Sequence, residues 1–229
     1  MNTPITIISS MATRQVLADL VAQYTQATGQ AVNTESVGGV DAAKRVQAGE
    51  HFDVVMLAAN VIDQLIDAGR LVAGSRVDLV RSGVSVAVRA GAPRPDIGSE
   101  EAVKRAVLNA RSLSYSTGPS GVALQKMFER WGIADAIRER IVQAPPGVPV
   151  GSLVADGMVE LGFQQLSELR HLDGIDIVGP LPPEIQVITT FSAGLSATSA
   201  QAGKVRAMLA AMNSPSTAEL KRRQGMEPA

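Results

Sequence analysis

Residues 5–69 alternate between two periods, and that alternation limits the fold more than any other feature of the chain. Residues 5–8 form a short apolar run of buried-strand type. Val16, Leu17, Leu20, Val21 and Tyr24 then recur at helical spacing, with Gly29 as a stop. Residues 32–37 read as a second strand ending at Gly38-Gly39, and Asp41 opens a helix carrying Ala42, Ala43 and Val46. A third strand at 53–57 and a helix with Ile62, Leu65 and Ile66, stopped by Gly69, complete a β-α-β-α-β-α series. Strands that alternate with helices in this way pair in parallel and need helices on both faces of the sheet.

The pattern restarts after residue 83. Val84, Val86 and Val88 alternate as a strand, and Ser99 with Glu100 and Glu101 starts a helix at its favourable acidic end. Leu113 and Tyr115 mark another strand, followed by a helix with Leu124, Met127, Phe128 and Trp131 on one stripe. Helical segments follow at 134–141 and 152–157, a strand at 159–163, a short helix at 166–172 and a strand at 175–178. Leu181-Pro-Pro breaks the chain. A long β-prone run spans 185–197, and helices at 200–212 and 217–223 finish it. Two α/β lobes are expected, residues 1–83 plus 188–229 and residues 84–187. The final helices pack back on the first lobe, and strands near Val84 and Val187 cross between the two. Each lobe is expected to be a mixed, mostly parallel sheet flanked by helices. A cleft between such lobes is where small ligands bind.

Several strand-to-helix junctions carry small and hydroxylated residues. Ser9, Ser10, Met11, Ala12, Thr13 and Arg14 form the first, Gly38, Gly39 and Val40 the second. Thr117, Ser120 and Gly121 lie in the third, within Ser-Thr-Gly-Pro-Ser-Gly. Free amides and the positive end of a helix dipole favour an anion there. A well-capped turn with no ligand gives the same residues. Arg14 opposes the dipole of the helix it starts, so it needs a negative partner: a ligand carboxylate or a neighbouring Asp or Glu. Gln164 and Gln165, at a strand end, are placed to donate to carboxylate oxygens or to hold a hinge. Val148 and Pro149 end a proline-stiffened loop that faces the cleft or simply makes a rigid connection.

Composition removes whole classes of function. The 229 residues are 45% hydrophobic and 19% charged, with a net charge of −1 and no basic block, which argues against a nucleic-acid surface. Only 3% are aromatic, too few for base-stacking platforms. The absence of cysteine excludes disulfides, thiolate metal sites and a cysteine nucleophile, and two histidines make a poor metal set. No cofactor and no metal are therefore expected, and no apolar run reaches membrane-spanning length. No leader is visible before the first strand, so the chain as written reads as cytoplasmic; one trimmed of a leader would read the same and be periplasmic.

The segments ITIISSMATRQVLADLVAQYTQATG, GGVDAAKRVQAGEHFDVVML, SGVALQKMFERWGI and VELGFQQLSEL occur in an order that resembles the periplasmic molybdate-binding proteins. Ala48, Gly49, Asp53, Leu161 and Gly162 are the firmest anchors. The resemblance covers nearly the whole chain and implies a two-lobed type II periplasmic-binding fold. It also implies ligand positions. The family's first ligand serine falls on Ala12, its serine cluster on Gly38, Gly39 and Val40, one amide donor on Ser120, another near Gly147 and Val148, and its tyrosine on Gln165. With that hydroxyl shell replaced, the leading expectation is a binder of a small organic di- or tricarboxylate, with a molybdate-type oxyanion second and hinge closure on binding. An ABC transporter is the implied partner if the chain is secreted. An aconitate isomerase is similar within the wider family. That makes an isomerase of a small unsaturated carboxylate the rival expectation, with Tyr115, Glu168, Ser9 and Ser10 as groups able in type to move a proton. An effector-sensing module is a third reading.

Overall fold

The computed structural model describes residues 3–145 and 147–229. It begins with β1 (Ile5–Ser10), α1 (Arg14–Thr28), β2 (Val32–Val37), α2 (Gly39–Gln47), β3 (Val54–Ala58) and α3 (Ala59–Asp67). It continues with β4 (Val77–Arg89), α4 (Glu100–Asn109), β5 (Leu113–Tyr115), α5 (Pro119–Arg130), α6 (Ala134–Ile137) and α7 (Val150–Ala155). Then come β6 (Leu161–Gln165), α8 (Leu166–Leu169), β7 (Ile175–Pro180), β8 (Ile188–Leu195), α9 (Ala202–Met212), α10 (Ala218–Arg223) and β9 (Glu227–Pro228). The chain divides into two compact units, residues 1–82 with 189–229 and residues 83–188.

In the first unit β1 lies between β2 and β3, both parallel to it, and β3 continues to an antiparallel β8. Helices flank this sheet, as the β-α alternation predicts. One face buries Ile5, Ile7, Val54 and Met56 against Leu17 and Leu20 of α1 and Val205, Met208, Leu209 and Met212 of α9. The other buries Ile8, Val55 and Leu57 against Val46 of α2 and Ile62 and Leu65 of α3. Successive strand residues point to opposite faces, so an apolar run such as residues 54–58 serves both layers. Both C-terminal helices, α9 and α10, pack on this unit against α1.

The second unit is a mixed sheet. β5 and β6 are parallel, while β4 runs antiparallel to both β6 and β7. Its core gathers Val84, Val86, Val88, Val103, Val107, Leu124, Phe128 and Phe163. Phe128 stacks edge-on with Tyr115 and Phe163, at centroid distances of 5.8 and 6.2 Å.

The structure corrects several boundaries. β4 begins at Val77 rather than at residue 83, because Leu79 and Val80 belong to the first unit's core and residues 84–88 to the second's. α2 begins at Gly39, two residues before Asp41. α7 covers 150–155 instead of 152–157, and β6 covers 161–165 instead of 159–163. The β-prone run at 185–197 shortens to β8, since Pro182 and Pro183 lead into a single 3-10 turn ending at Ile185. Strand β9, two residues pairing with Val80 and Arg81, left no signal in the sequence.

One buried cation stands out. Lys221 on α10 is 1% exposed, and its ammonium forms no ion pair with a described acid. Burial holds its ammonium below the ordinary lysine value. The folded state therefore binds fewer protons than the unfolded one between the lowered pKa and 10.5, and this group's penalty is relieved as pH rises through that window. Lys221→Met should stabilise the protein by about 1–3 kcal/mol at pH 7, the cost of an uncompensated polar group in an apolar site. Urea titrations at pH 7 and pH 10 check it: the advantage of the variant should shrink at the higher pH.

Candidate functional site

In the first unit the register sets Ser9 beside Ser36 and Ser10 beside Val37, so β1 and β2 end together at one edge of the sheet. The chain leaves β1 through a single 3-10 turn at Met11–Thr13 and enters α1 at Arg14. Neither start has a side-chain cap or an acidic residue in its first turn. Ser9, Ser10, Ala12 and Thr13 are buried, Met11 is half-buried and Arg14 is exposed. The Ser9 hydroxyl lies 2.8 Å from the Ser36 hydroxyl, and Thr13 donates its hydroxyl to the Ser10 carbonyl at 3.0 Å. Thr13 thus serves the turn itself. The Arg14 amide donates to the Met11 carbonyl, but its guanidinium makes no ion pair or hydrogen bond among the described residues, so the salt bridge to a neighbouring acid is not formed.

α2 starts against the same turn. A Cβ on Gly39 would stand 3.6 Å from Ser10 Cβ. The first helical bond runs from the Ala42 amide to the Gly38 carbonyl at 2.9 Å, which leaves the Gly39, Val40 and Asp41 amides without a helical acceptor. The Asp41 carboxylate already stands over this start, however, with Oδ2 3.3 Å from the position a Gly38 Cβ would take. A resident negative charge makes α2 the weaker anion position. α3 emerges at the same sheet edge, since Ser9 is level with Met56 and β3 ends two residues later. Its uncapped start at Ala59 and Asn60 escaped the sequence reading, because it carries neither glycine nor hydroxyl.

In the second unit β5 and β6 are parallel with Tyr115 level with Phe163, so the turn after Tyr115 and the Gln164-Gln165 pair leave the sheet side by side. Gly118 caps α5 with no side chain, Pro119 occupies its first turn, and no acid lies there. Ser116 and Ser120 hydroxyls are 3.0 Å apart. Thr117 is exposed; Ser120 and Gly121 are buried. Gly121 is obligatory, because a Cβ there would sit 1.6 Å from the Ser116 carbonyl oxygen. Gln164 is buried, and its Oε1 accepts the Gly151 amide at 3.1 Å, which closes the start of α7. Its carbonyl end is therefore structural. Gln165 is buried at the end of β6, Val148 is exposed, and Pro149 is the N-cap of α7.

The groups proposed to move a proton separate clearly. Burial, and then the Glu129 charge, push the Tyr115 phenol above its already high ordinary value. Ser9 is tied to Ser36. Glu168 on α8 is half-buried, and burial raises its carboxyl to about 7, only partly offset by a hydrogen bond from Gln164. Among the described residues no helix is long and apolar enough to cross a membrane, and no cluster of three or more His, Cys, Asp or Glu is placed to hold a metal ion.

Each unit thus presents strand ends and uncapped helix starts at one sheet edge. A family model of bacterial extracellular solute-binding proteins matches residues 5–227. The chain belongs to the bacterial extracellular solute-binding protein family. It is 34% identical to an aconitate isomerase of a Pseudomonas species over 232 residues, covering 99% of this chain and 88% of that protein. The fold is similar to that of the periplasmic molybdate-binding protein of Azotobacter vinelandii, with a TM-score of 0.81 at 20% identity over 97% of this chain and 98% of the other. It is also similar to the sulfate-binding protein SubI of Mycobacterium tuberculosis, with a TM-score of 0.79 at 17% identity over 99% and 87% of the two chains. Its fold is thus similar to that of a molybdate-binding and a sulfate-binding protein, and its sequence to that of an aconitate isomerase.

Proposed function

We propose that this protein binds a small organic di- or tricarboxylate and catalyses a proton shift on an unsaturated member of that class, aconitate being the first candidate. Its candidate contacts are Ser9, Ser10 and Arg14 in the first unit and, in the second, Thr117, Ser120, Gly121 and Gln165. The observation that carries this reading is Arg14: an exposed guanidinium in the first turn of α1, against the dipole and without a protein carboxylate. A planar fork of donors fits a carboxylate in bidentate fashion. Exposed Val40, Val122 and Val148 flank the helix starts. They suit a ligand with a hydrocarbon skeleton and offer nothing to a bare tetrahedral oxyanion. The full-length identity to an aconitate isomerase supports the reaction class.

Isothermal titration with cis- and trans-aconitate, citrate, molybdate and sulfate tests the ligand class. Tighter binding of a tricarboxylate than of any inorganic oxyanion is expected; the reverse order refutes it. Arg14→Ala should weaken carboxylate binding about 10- to 100-fold, the worth of one charge-assisted contact of about 1.5–3 kcal/mol. Family membership favours a second reading, a receptor that delivers the same ligand to an ABC transporter. Binding without isomer conversion or solvent deuterium uptake by NMR would select it.

A further inference from the structure

We infer that Glu168 is the group that carries the proton in this reaction and that Gln164 is its positioning residue, an assignment that rests on the isomerase reading above.

Three observations lead there. The first is place: Glu168 is the third residue of α8, which begins directly where β6 ends, and β6 is level with β5, whose own turn leads to Ser116 and Ser120. Helix α8 therefore leaves the sheet at the same edge as the turn that carries the unit's hydroxyls and uncapped helix start. The second is the lack of a countercharge. Glu168 forms no ion pair among the described residues, and burial and one hydrogen bond from Gln164 alone set its proton affinity. A half-buried carboxyl without a cation is costly for stability and gains nothing structurally that a glutamine would not give. The third is the tether. Gln164 accepts the Gly151 amide through Oε1, which fixes the orientation of its amide group at the start of α7. The same side chain, four residues before Glu168, favours the ionised form of that carboxyl.

The chemistry balances without a co-reactant. Glu168 as carboxylate takes a proton from the carbon next to the double bond. The pair from that C–H bond forms the new C=C, and the former π pair receives the same proton at the far carbon. Glu168 ends as it began. A carboxyl poised near neutrality serves both halves of such a transfer, ionised to take the proton and protonated to return it. Tyr115 is too weak an acid to be ionised at neutral pH, and Ser9 lacks a base beside it.

The experiment is deuterium uptake and isomer conversion by NMR, with trans- and cis-aconitate as probes, for the full chain and its variants. Glu168→Gln should slow conversion at least 100-fold while aconitate affinity, measured by titration calorimetry, changes only a few-fold. Glu168→Asp, which keeps the acid but withdraws it by one methylene, should fall between. Gln164→Leu should move the acidic limb of the pH–rate profile upward, because the lost hydrogen bond favoured the ionised carboxyl, and the carbon-13 resonance of the Glu168 carboxyl should titrate higher by the same amount. Wild-type rates in Glu168→Gln, with the wild type active, would overturn the assignment and leave the isomerase reading standing. Aconitate binding with no conversion by the wild type would overturn both.

Discussion

Alanine at position 121 is expected to be the most damaging single substitution in the second unit. The added Cβ would lie 1.6 Å from the Ser116 carbonyl oxygen and 2.7 Å from its carbonyl carbon. Those are backbone atoms, so no side-chain rotation relieves the overlap; the turn at residues 116–118 must move away from α5. That movement separates Ser116 from Ser120 and reorients the uncapped amides at the helix start. Gly121→Ala should cost about 3 kcal/mol, the upper end of overpacking penalties, and should weaken carboxylate binding more than 10-fold. Chemical denaturation and titration calorimetry read the two effects. Gly203→Ala makes the control: a Cβ there meets nothing within 4 Å, and on a helix such a change is neutral or mildly stabilising.

Asp53 carries the second large effect, on stability alone. Its side chain is 3% exposed, yet it has no cationic partner among the described ion pairs. Instead Oδ2 accepts the Thr6 amide at 2.9 Å and the Thr6 hydroxyl at 3.1 Å, and Oδ1 accepts the Ser199 hydroxyl at 2.6 Å. Burial alone would raise its pKa; the Ser199 and Thr6 bonds outweigh that and hold it below the ordinary carboxylate value of 3.8. One carboxylate thus ties the start of β3 to β1 and to the segment before α9. Asp53→Ala should cost about 3 kcal/mol at pH 7, since it removes charge-assisted bonds and leaves the Thr6 amide unpaired. The sign with pH follows. The unfolded chain protonates first as pH falls, so the contribution is complete above about 3.8 and fades as pH drops through the lowered native value. Urea midpoints of wild type and variant should accordingly converge toward pH 3.

Residues 53 and 121 also show what a sequence can and cannot disclose. Asp53 was visible as an anchor of the family resemblance, but nothing in its neighbours announces Ser199, which is 146 positions away. Gly121 read as one more small residue at a helix start; only the path of the preceding turn makes it obligatory. Elements with strong periodicity, such as α1 with its Gly29 stop, were legible because burial on one face dictates the spacing. The first half of β4 is not legible, because it alternates Val77, Leu79 and Arg81 without a clear polar face. Among the candidate site residues, the hydroxyl and glycine junctions were legible from composition at strand ends. The commitment of Gln164 to the Gly151 amide was not, since it depends on where α7 docks. Nor was the α3 start at Ala59 and Asn60, whose exposed amides are a property of geometry alone.

The central claim is that the exposed Arg14 guanidinium at the start of α1 takes a ligand carboxylate. Amide and guanidinium chemical shifts followed by NMR during a titration with cis-aconitate test it most directly. Ser10, Arg14 and Gly39 are expected to shift together along a single saturation curve, the Arg14 side-chain resonance with them. Saturable binding that leaves Arg14 and its neighbours unmoved would contradict it.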